Sequence, residues 1–183
     1  MGWNVKKTIV MVGMMGAGKT AVGKALATRL DVPFMDSDMA IQEAANMSIA
    51  EIFERDGEAF FRAKERQVLQ RLLGAESKGA LSTGGGAFLA EDNRDMISQK
   101  GVSVCLSADF DLLWNRVKHK TTRPLLRTGN PKQTLADLYQ KRAPIYAMAD
   151  LSVVAKPHYA IDDMADKVLE ALLNRPDVLE PTE

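Results

Sequence analysis

The sequence has little of what marks several protein classes. Its single cysteine, Cys105, rules out a disulfide within the chain. This suits the reducing cytoplasm, where we expect the protein to act. No run of about 18 uncharged apolar residues occurs, so we expect no transmembrane helix. The 24 Lys and Arg residues balance 24 Asp and Glu residues, and bulk charge therefore favours neither a nucleic acid nor a membrane surface as a partner.

The first residues imitate a secretory signal only loosely. Lys6 and Lys7 precede an apolar run at residues 8–15, but this run is short and glycines break it. Lys19 and Lys24 then interrupt the residues that follow. Such interruptions do not fit the apolar region of a cleaved signal, so we expect none.

Short apolar runs alternate along the chain with longer amphipathic stretches. The short runs do not alternate with polar residues, which is typical of strands buried on both faces of a parallel sheet. We therefore predict one α/β domain, residues 1–183, with a five-stranded parallel sheet and helices on both faces in three layers. The predicted strands are residues 8–13, 32–36, 79–85, 101–108 and 149–155. The predicted helices are residues 21–30, 38–45, 48–73, 90–100, 109–118, 131–148 and 161–173.

The first predicted strand leads into a phosphate-binding motif. Gly13, Gly18, Lys19 and Thr20 meet the spacing G-x-x-x-x-G-K-[ST] between a predicted strand and a predicted helix. Such a loop turns its backbone N–H groups around an anion, and the helix N-terminus adds partial positive charge. Lys19 can reach the β- and γ-phosphates, and the Thr20 hydroxyl can bind Mg²⁺. We call residues 13–20 the phosphate loop and expect it to bind a nucleoside triphosphate.

Two carboxylates, those of Asp36 and Asp38, end the second predicted strand. In an extended segment, residues two apart face the same side, so both would face the phosphate loop. One can help to hold Mg²⁺ through water, and the other can accept a proton from an attacking hydroxyl. An aspartate that only caps the next helix explains the pair equally well when it is taken alone.

Three further segments carry residues suited to binding an anionic ligand. Residues 84–86, which we call the glycine triplet, permit close approach of the backbone to a ligand. Arg123 lies in a polar segment between helices that could form a mobile lid. Arg62 and Arg142 lie in predicted helices. Taken singly, these segments are explained as well or better by a bare turn, a surface loop and solvated arginines.

Taken together, the segments resemble the shikimate kinase family. The shared features are the phosphate loop, "DSD" at 36–38, "FR" at 61–62, "GGG" at 84–86, "RPLL" at 123–126 and "KRAPIY" at 141–146. The phosphate loop is common to many nucleotide-binding proteins, whereas the combination of the other motifs is specific to this family. The resemblance covers about residues 9–146. It implies a P-loop kinase that transfers the γ-phosphoryl group of ATP to the 3-hydroxyl of shikimate, on the route to chorismate and the aromatic amino acids.

The resemblance also implies roles for individual residues. Asp38 would take the proton of the attacking hydroxyl, two arginines would pair with the shikimate carboxylate, and Arg123 would act from the lid. The implied catalytic residues are Lys19, Asp38 and Arg123. The implied ATP-binding residues are Gly16, Ala17, Gly18, Lys19, Thr20, Ala21 and Arg123. The implied shikimate-binding residues are Asp38, Arg62, Gly85 and Arg142, and the implied Mg²⁺ residues are Thr20 and Asp36.

Several features stay open at this point. The resemblance implies a substrate-binding helical insertion at about 38–73, a lid at about 119–131 and nothing beyond a monomer. Some family members carry a basic residue on the adenine side, for which Lys156 is one candidate, and the adenine contacts are left unassigned. We expect residues 174–183 to be disordered, because they are polar and contain proline. The alternatives are another P-loop kinase, acting on gluconate or a nucleoside monophosphate, and an ATP-gated regulatory protein.

Overall fold

The centre of the fold is a parallel β-sheet, seen in a computed structural model that describes residues 2–120 and 128–183. The strands are β1 (Gly2–Val5), β2 (Thr8–Val12), β3 (Phe34–Asp36), β4 (Ala80–Ser82), β5 (Gly101–Ser107), β6 (Leu151–Val154) and β7 (Leu179–Thr182). Strands β2 to β6 pair in parallel in the order β3-β4-β2-β5-β6. The five predicted strands and the α/β class are thereby confirmed.

Helices cover both faces of this sheet. They are α1 (Lys19–Leu30), α2 (Ser37–Ala45), α3 (Ile49–Leu73), α4 (Glu91–Lys100), α5 (Phe110–Val117), α6 (Pro131–Tyr146) and α7 (Ile161–Leu172), with a 3₁₀ turn at Ala87–Leu89. Each predicted helix is present, with ends within about two residues of those predicted. Strand β2 is buried along its whole length, which requires apolar cover on both of its faces. Within the described ranges, no helix is long and apolar enough to cross a membrane.

The strand order brings three predicted segments to one edge of the sheet. Strands β3, β4 and β2 are neighbours, and they end at Asp36, Ser82 and Val12. Asp36 is itself the end of β3 and Asp38 lies two residues beyond it, while the glycine triplet and the phosphate loop follow the ends of β4 and β2. Ligands of open parallel sheets bind beyond the carboxyl ends of the strands, and here those ends supply the polar groups of a site.

Helices α2 and α3 form an apolar cluster of their own, in which Ile41, Ile52, Phe61 and Val68 are buried together. Helix α3 begins at a cap, where the Ser48 hydroxyl accepts the Glu51 N–H at 3.1 Å. The prediction of one continuous helix over 48–73 is wrong in one respect. Gly57 adopts φ 84 and ψ 174, which breaks the helix into two parts, and glycine takes this positive φ without the steric cost of a side chain.

The two ends of the chain pair with each other. Strands β1 and β7 form an antiparallel two-stranded sheet. Val178, just before β7, and Leu179, its first residue, are 0% and 1% exposed. The Lys6 Nζ atom lies 2.8 Å from Glu180 Oε2 in an ion pair. The prediction that residues 174–183 are disordered is therefore wrong. The start of the chain supplies the backbone partner and the core receives the two apolar side chains, which offset the entropy of ordering this segment.

Candidate active site

A cleft of about 530 Å³ lies at the carboxyl edge of the sheet. It brings together most of the residues that the sequence motifs had marked separately, whereas Arg62 and Arg142 do not line it and lie beside the glycine triplet. The predicted residues that line it are Gly16, Ala17, Gly18, Lys19, Thr20, Ala21, Asp36, Asp38 and Gly85. Residues 121–127 of the predicted lid, Arg123 among them, lie outside the described residues, so the lid and its arginine stay predictions.

The phosphate loop presents the N-terminus of α1 to this cleft. Gly18 precedes the helix, and no side chain in the described part of the chain caps it. The helix N–H groups and their partial positive charge therefore face the cleft. The Lys19 ammonium donates to the Gly13 carbonyl at 2.6 Å, which ties the lysine back over its own loop. Arg116 and Lys120 add further positive charge to the lining, and the whole suits a polyanion.

The two aspartates occupy different backbone settings. Asp36 ends β3 and caps α2, since its Oδ1 accepts the Met39 N–H at 3.1 Å. The capping interpretation is thus correct for one of its oxygens. Asp38 lies in the first turn of α2, so the prediction of an extended segment through both residues is wrong. The chain turns into the helix directly after Asp36, and both side chains still line the cleft.

The Thr20 hydroxyl and the Asp36 carboxylate fit a magnesium ion. Both line the same cleft, and Thr20 Oγ1 lies 3.2 Å from Ser82 Oγ, a buried hydroxyl at the end of β4. Across the residues that the structure describes, no group of three or more His, Cys, Asp or Glu could hold a metal. A magnesium ion needs only one or two protein oxygens, since water and phosphate fill the rest of its shell.

The glycine triplet brings three charged side chains to one place. The close pairs are Gly84 with Asp38, Gly85 with Arg142 and Gly86 with Arg62. A methyl group added at Gly84 would lie 2.5 Å from Asp38 Oδ1, and one added at Gly86 would overlap the Arg62 guanidinium. A side chain at either position would displace the charged group that now occupies its space. The predicted substrate-binding residues therefore converge around residues 84–86.

The triplet is anchored on both sides. The Thr83 hydroxyl donates to the Met11 carbonyl at 2.8 Å, which ties the loop to β2. The Gly84 N–H donates to the Ser37 hydroxyl at 3.2 Å, which ties it to α2. The Tyr146 hydroxyl donates to the Gly85 carbonyl. Backbone in a loop is held this firmly where its geometry matters to a neighbouring group.

A buried carboxylate that the sequence analysis missed holds Arg62. Glu65 is 1% exposed and its Oε1 accepts from Arg62 Nη1 at 2.9 Å. Burial raises the pKa of Glu65, the Arg62 charge and hydrogen bond lower it, and the Asp38 charge raises it. The available signal was the i,i+3 spacing of Arg62 and Glu65 on α3.

The surroundings of Asp38 make its carboxylate a stronger base. Burial raises its pKa above the ordinary value, and the charge of Asp36 raises it further. Lys19 and Arg62 act in the opposite direction. A carboxylate with a raised pKa accepts a proton more readily than an exposed one.

The cleft is also lined by residues that the sequence analysis did not assign to ligand binding. They are Arg116, Lys120, Tyr159, Ala160, Ile161 and Met164. Arg116 donates to the Gly16 carbonyl at 3.0 Å. The Lys156 ammonium, the earlier candidate for the adenine side, lies over the Tyr159 ring, 6.0 Å from its centroid. These residues carry no motif with fixed spacing, and only the fold brings them to the phosphate loop.

A model of the shikimate kinase family matches residues 15–173 of this sequence. The chain belongs to the shikimate kinase family. A shikimate kinase of Ruegeria pomeroyi is 65% identical over 95% of this chain and 89% of its own length. The structure of Acinetobacter baumannii shikimate kinase in complex with shikimate superposes with a TM-score of 0.85 at 38% identity, over 92% of this chain and 93% of that chain. A Sinorhizobium meliloti gluconokinase, with a TM-score of 0.60 at 17% identity over 93% of this chain and 94% of that chain, shares the fold alone.

Proposed function

We infer that this protein catalyses the reaction of its family, in which the γ-phosphoryl group of ATP passes to the 3-hydroxyl of shikimate. The products are shikimate 3-phosphate and ADP. The observation that carries this inference is the convergence of Asp38, Arg62 and Arg142 on the glycine triplet, in a site continuous with the phosphate loop. An anionic alcohol needs cations for its carboxylate and a base for its hydroxyl, and these residues supply both.

The phosphate loop would bind the triphosphate. Its N–H groups and the α1 N-terminus would receive the β-phosphate, and Lys19 would exchange its contact with the Gly13 carbonyl for a phosphate oxygen. Phosphoryl transfer depends mainly on positioning and on neutralising charge. The lysine therefore acts as a fixed positive charge on the group being transferred.

Thr20 and Asp36 would hold Mg²⁺. The hydroxyl would bind directly, and the Asp36 oxygen that does not cap α2 would bind through water. When bound, the ion supplies charge neutralisation on the β- and γ-phosphates. The Ser82 hydroxyl would accept a hydrogen bond from the Thr20 hydroxyl, which leaves a lone pair of the Thr20 oxygen for the cation.

The substrate end would fix the shikimate ring by its carboxylate. Arg62 and Arg142 each offer a planar fork of donors, and Gly85 would donate its backbone N–H. Two such contacts hold the ring so that one hydroxyl faces the γ-phosphate. Asp38 would accept the proton of that hydroxyl while its oxygen attacks phosphorus.

The other end of the cleft would receive the adenine. Tyr159, Ile161 and Met164 offer apolar surface, and the planar guanidinium of Arg116 can stack on an aromatic ring. We place the substrate-binding segment at about 38–73, with its own small apolar cluster. We further propose a cytoplasmic monomer, because one chain contributes each of the site groups above and its single cysteine is a free buried thiol.

A substrate panel tests the proposed function. Coupled release of ADP is measured with shikimate, gluconate and AMP as acceptors, with and without Mg²⁺. We expect release that depends on shikimate and on Mg²⁺, with little from the other two acceptors. Release with gluconate or AMP in preference to shikimate would overturn the assignment, and nucleotide binding without turnover would point to a regulatory protein.

A further inference from the structure

The middle carbonyl of the glycine triplet has an unusual partner. The carbonyls of the two flanking glycines accept from backbone N–H groups just downstream, at 3.2 and 3.1 Å. The Gly85 carbonyl instead accepts from the Tyr146 hydroxyl. The carbonyl at the centre of the loop is therefore fixed by a side chain 61 positions away along the sequence, whereas the two flanking carbonyls are fixed by backbone N–H groups.

Tyr146 links this carbonyl to Arg142. It is the last residue of α6, it is 3% exposed, and it follows Arg142 by one helical turn, so both side chains share a face. Arg142 reaches the same glycine, because its Nη1 lies 3.5 Å from the position that a methyl group added at Gly85 would take. The hydroxyl donates its proton to the Gly85 carbonyl, so Tyr146 and Arg142 meet at the same residue of the triplet.

The same bond sets the direction of a peptide plane. The structure has no cis peptide bond in its described ranges, so the peptide after Gly85 is trans and carries the Gly86 N–H on the edge opposite the carbonyl. Holding the carbonyl towards α6 turns this N–H away from α6. The bond is costly to leave unmade on the tyrosine side, because Tyr146 is 3% exposed and a buried hydroxyl without a partner loses its solvation.

We propose that Tyr146 is a positioning residue for the carboxylate site, one that sets the Arg142 guanidinium and the glycine triplet in register before the substrate binds. The proposal rests on the proposed function, in which Arg142 binds the shikimate carboxylate. It differs from a purely structural role for a core tyrosine, because it predicts an effect on one substrate and not on the other.

Tyr146→Phe is the variant that tests this, because it keeps the ring in the core and removes only the hydroxyl. We expect the Kd and KM for shikimate to rise by about 3- to 10-fold, the scale of one net hydrogen bond. The Kd for ADP, the KM for ATP and kcat should stay within about twofold, a change too small to represent a lost hydrogen bond. The matched control is Tyr139→Phe on the same helix, whose ring packs edge-on against Phe110 with centroids 6.0 Å apart. This substitution should leave the Kd and KM for both substrates unchanged.

A double-mutant cycle with Arg142→Ala separates positioning from general damage. If Tyr146 acts through Arg142, Tyr146→Phe should weaken shikimate binding less in the Arg142→Ala background than in the wild type. Additive losses, or equal losses of shikimate and ADP affinity, would overturn the proposal, as would an unchanged shikimate KM. Absence of shikimate-dependent ADP release from the wild type would overturn the proposed function and this inference with it.

A second measurement does not require the variant to fold. Wild-type protein labelled with ¹³C at the tyrosine ring Cζ gives one resonance for each of its three tyrosines. Single Tyr→Phe substitutions at 139 and 159 identify the other two resonances. We expect the Tyr146 resonance to shift with shikimate and to stay in place with ADP. A resonance that ignores shikimate would contradict the proposal.

Discussion

Alanine at Gly86 should damage shikimate binding while leaving the fold intact. Gly86 has φ −93 and ψ −10, which alanine adopts without strain. The added methyl group would overlap the Arg62 guanidinium, the movable end of a side chain that is 33% exposed. The arginine can therefore move aside, and it loses its place at the carboxylate. A charge-assisted hydrogen bond contributes about 1.5–3 kcal/mol, so the shikimate Kd should rise by about 10- to 100-fold.

Calorimetric titration with shikimate and with ADP measures this effect. Affinity for ADP should be unchanged, because Gly86 does not belong to the phosphate loop, and the Tm should change little. Gly85→Ala is the matched comparison, since a methyl group there would meet Arg142 Nη1 at an ordinary 3.5 Å and should cost less. Wild-type shikimate affinity in Gly86→Ala would refute the reasoning that the triplet is glycine to make room for the arginine.

Three further predictions follow from the geometry. Lys19→Ala should lower kcat by at least about 10²-fold with little change in Tm, and near-normal turnover would refute its role at the phosphate. Because the pKa of Glu65 is raised in the folded protein, Glu65 favours folding below its ordinary value of 4.5, and this contribution is lost as the pH rises through the raised value. In urea titrations the free energy of unfolding of Glu65→Gln should therefore increase relative to that of wild type as the pH rises from 4.5. A difference between the two free energies that does not change with pH would contradict the raised pKa. Leu179→Ala should lower the free energy of unfolding by about 2–5 kcal/mol, whereas the control Glu183→Ala should change it little, and equal stabilities would mean that the end of the chain is not part of the core.

The parts of the site that sequence could predict are those encoded locally. The phosphate loop is one contiguous motif in which spacing alone determines the backbone path. Strands β2, β4 and β5 are visible because burial on both faces leaves apolar runs without alternation. The edge strands β3 and β6 are partly exposed, but their sequences are short apolar runs as well. The grouping of Asp38, Arg62 and Arg142 came from the family resemblance, since their spacing along the chain carries no sign that they meet.

The parts that were missed depend on partners distant in the chain. Residues 174–183 read as a disordered tail because their backbone partner, β1, lies at the other end of the sequence. Glu65 reads as a surface carboxylate of an amphipathic helix, and only packing shows that it is buried under Arg62. The break at Gly57 was hidden by the helical pattern on both sides of it.

The central claim of the account is that Arg62 and Arg142 together receive one carboxylate. Its most direct test is the shikimate affinity of Arg62→Ala and Arg142→Ala, measured by titration calorimetry beside an analogue that carries a carboxamide. The account predicts that each variant binds shikimate about 10- to 100-fold more weakly than wild type, and loses less on the analogue, with ADP affinity unchanged. If both variants bind shikimate as tightly as wild type does, the two arginines do not hold the substrate and the account is contradicted.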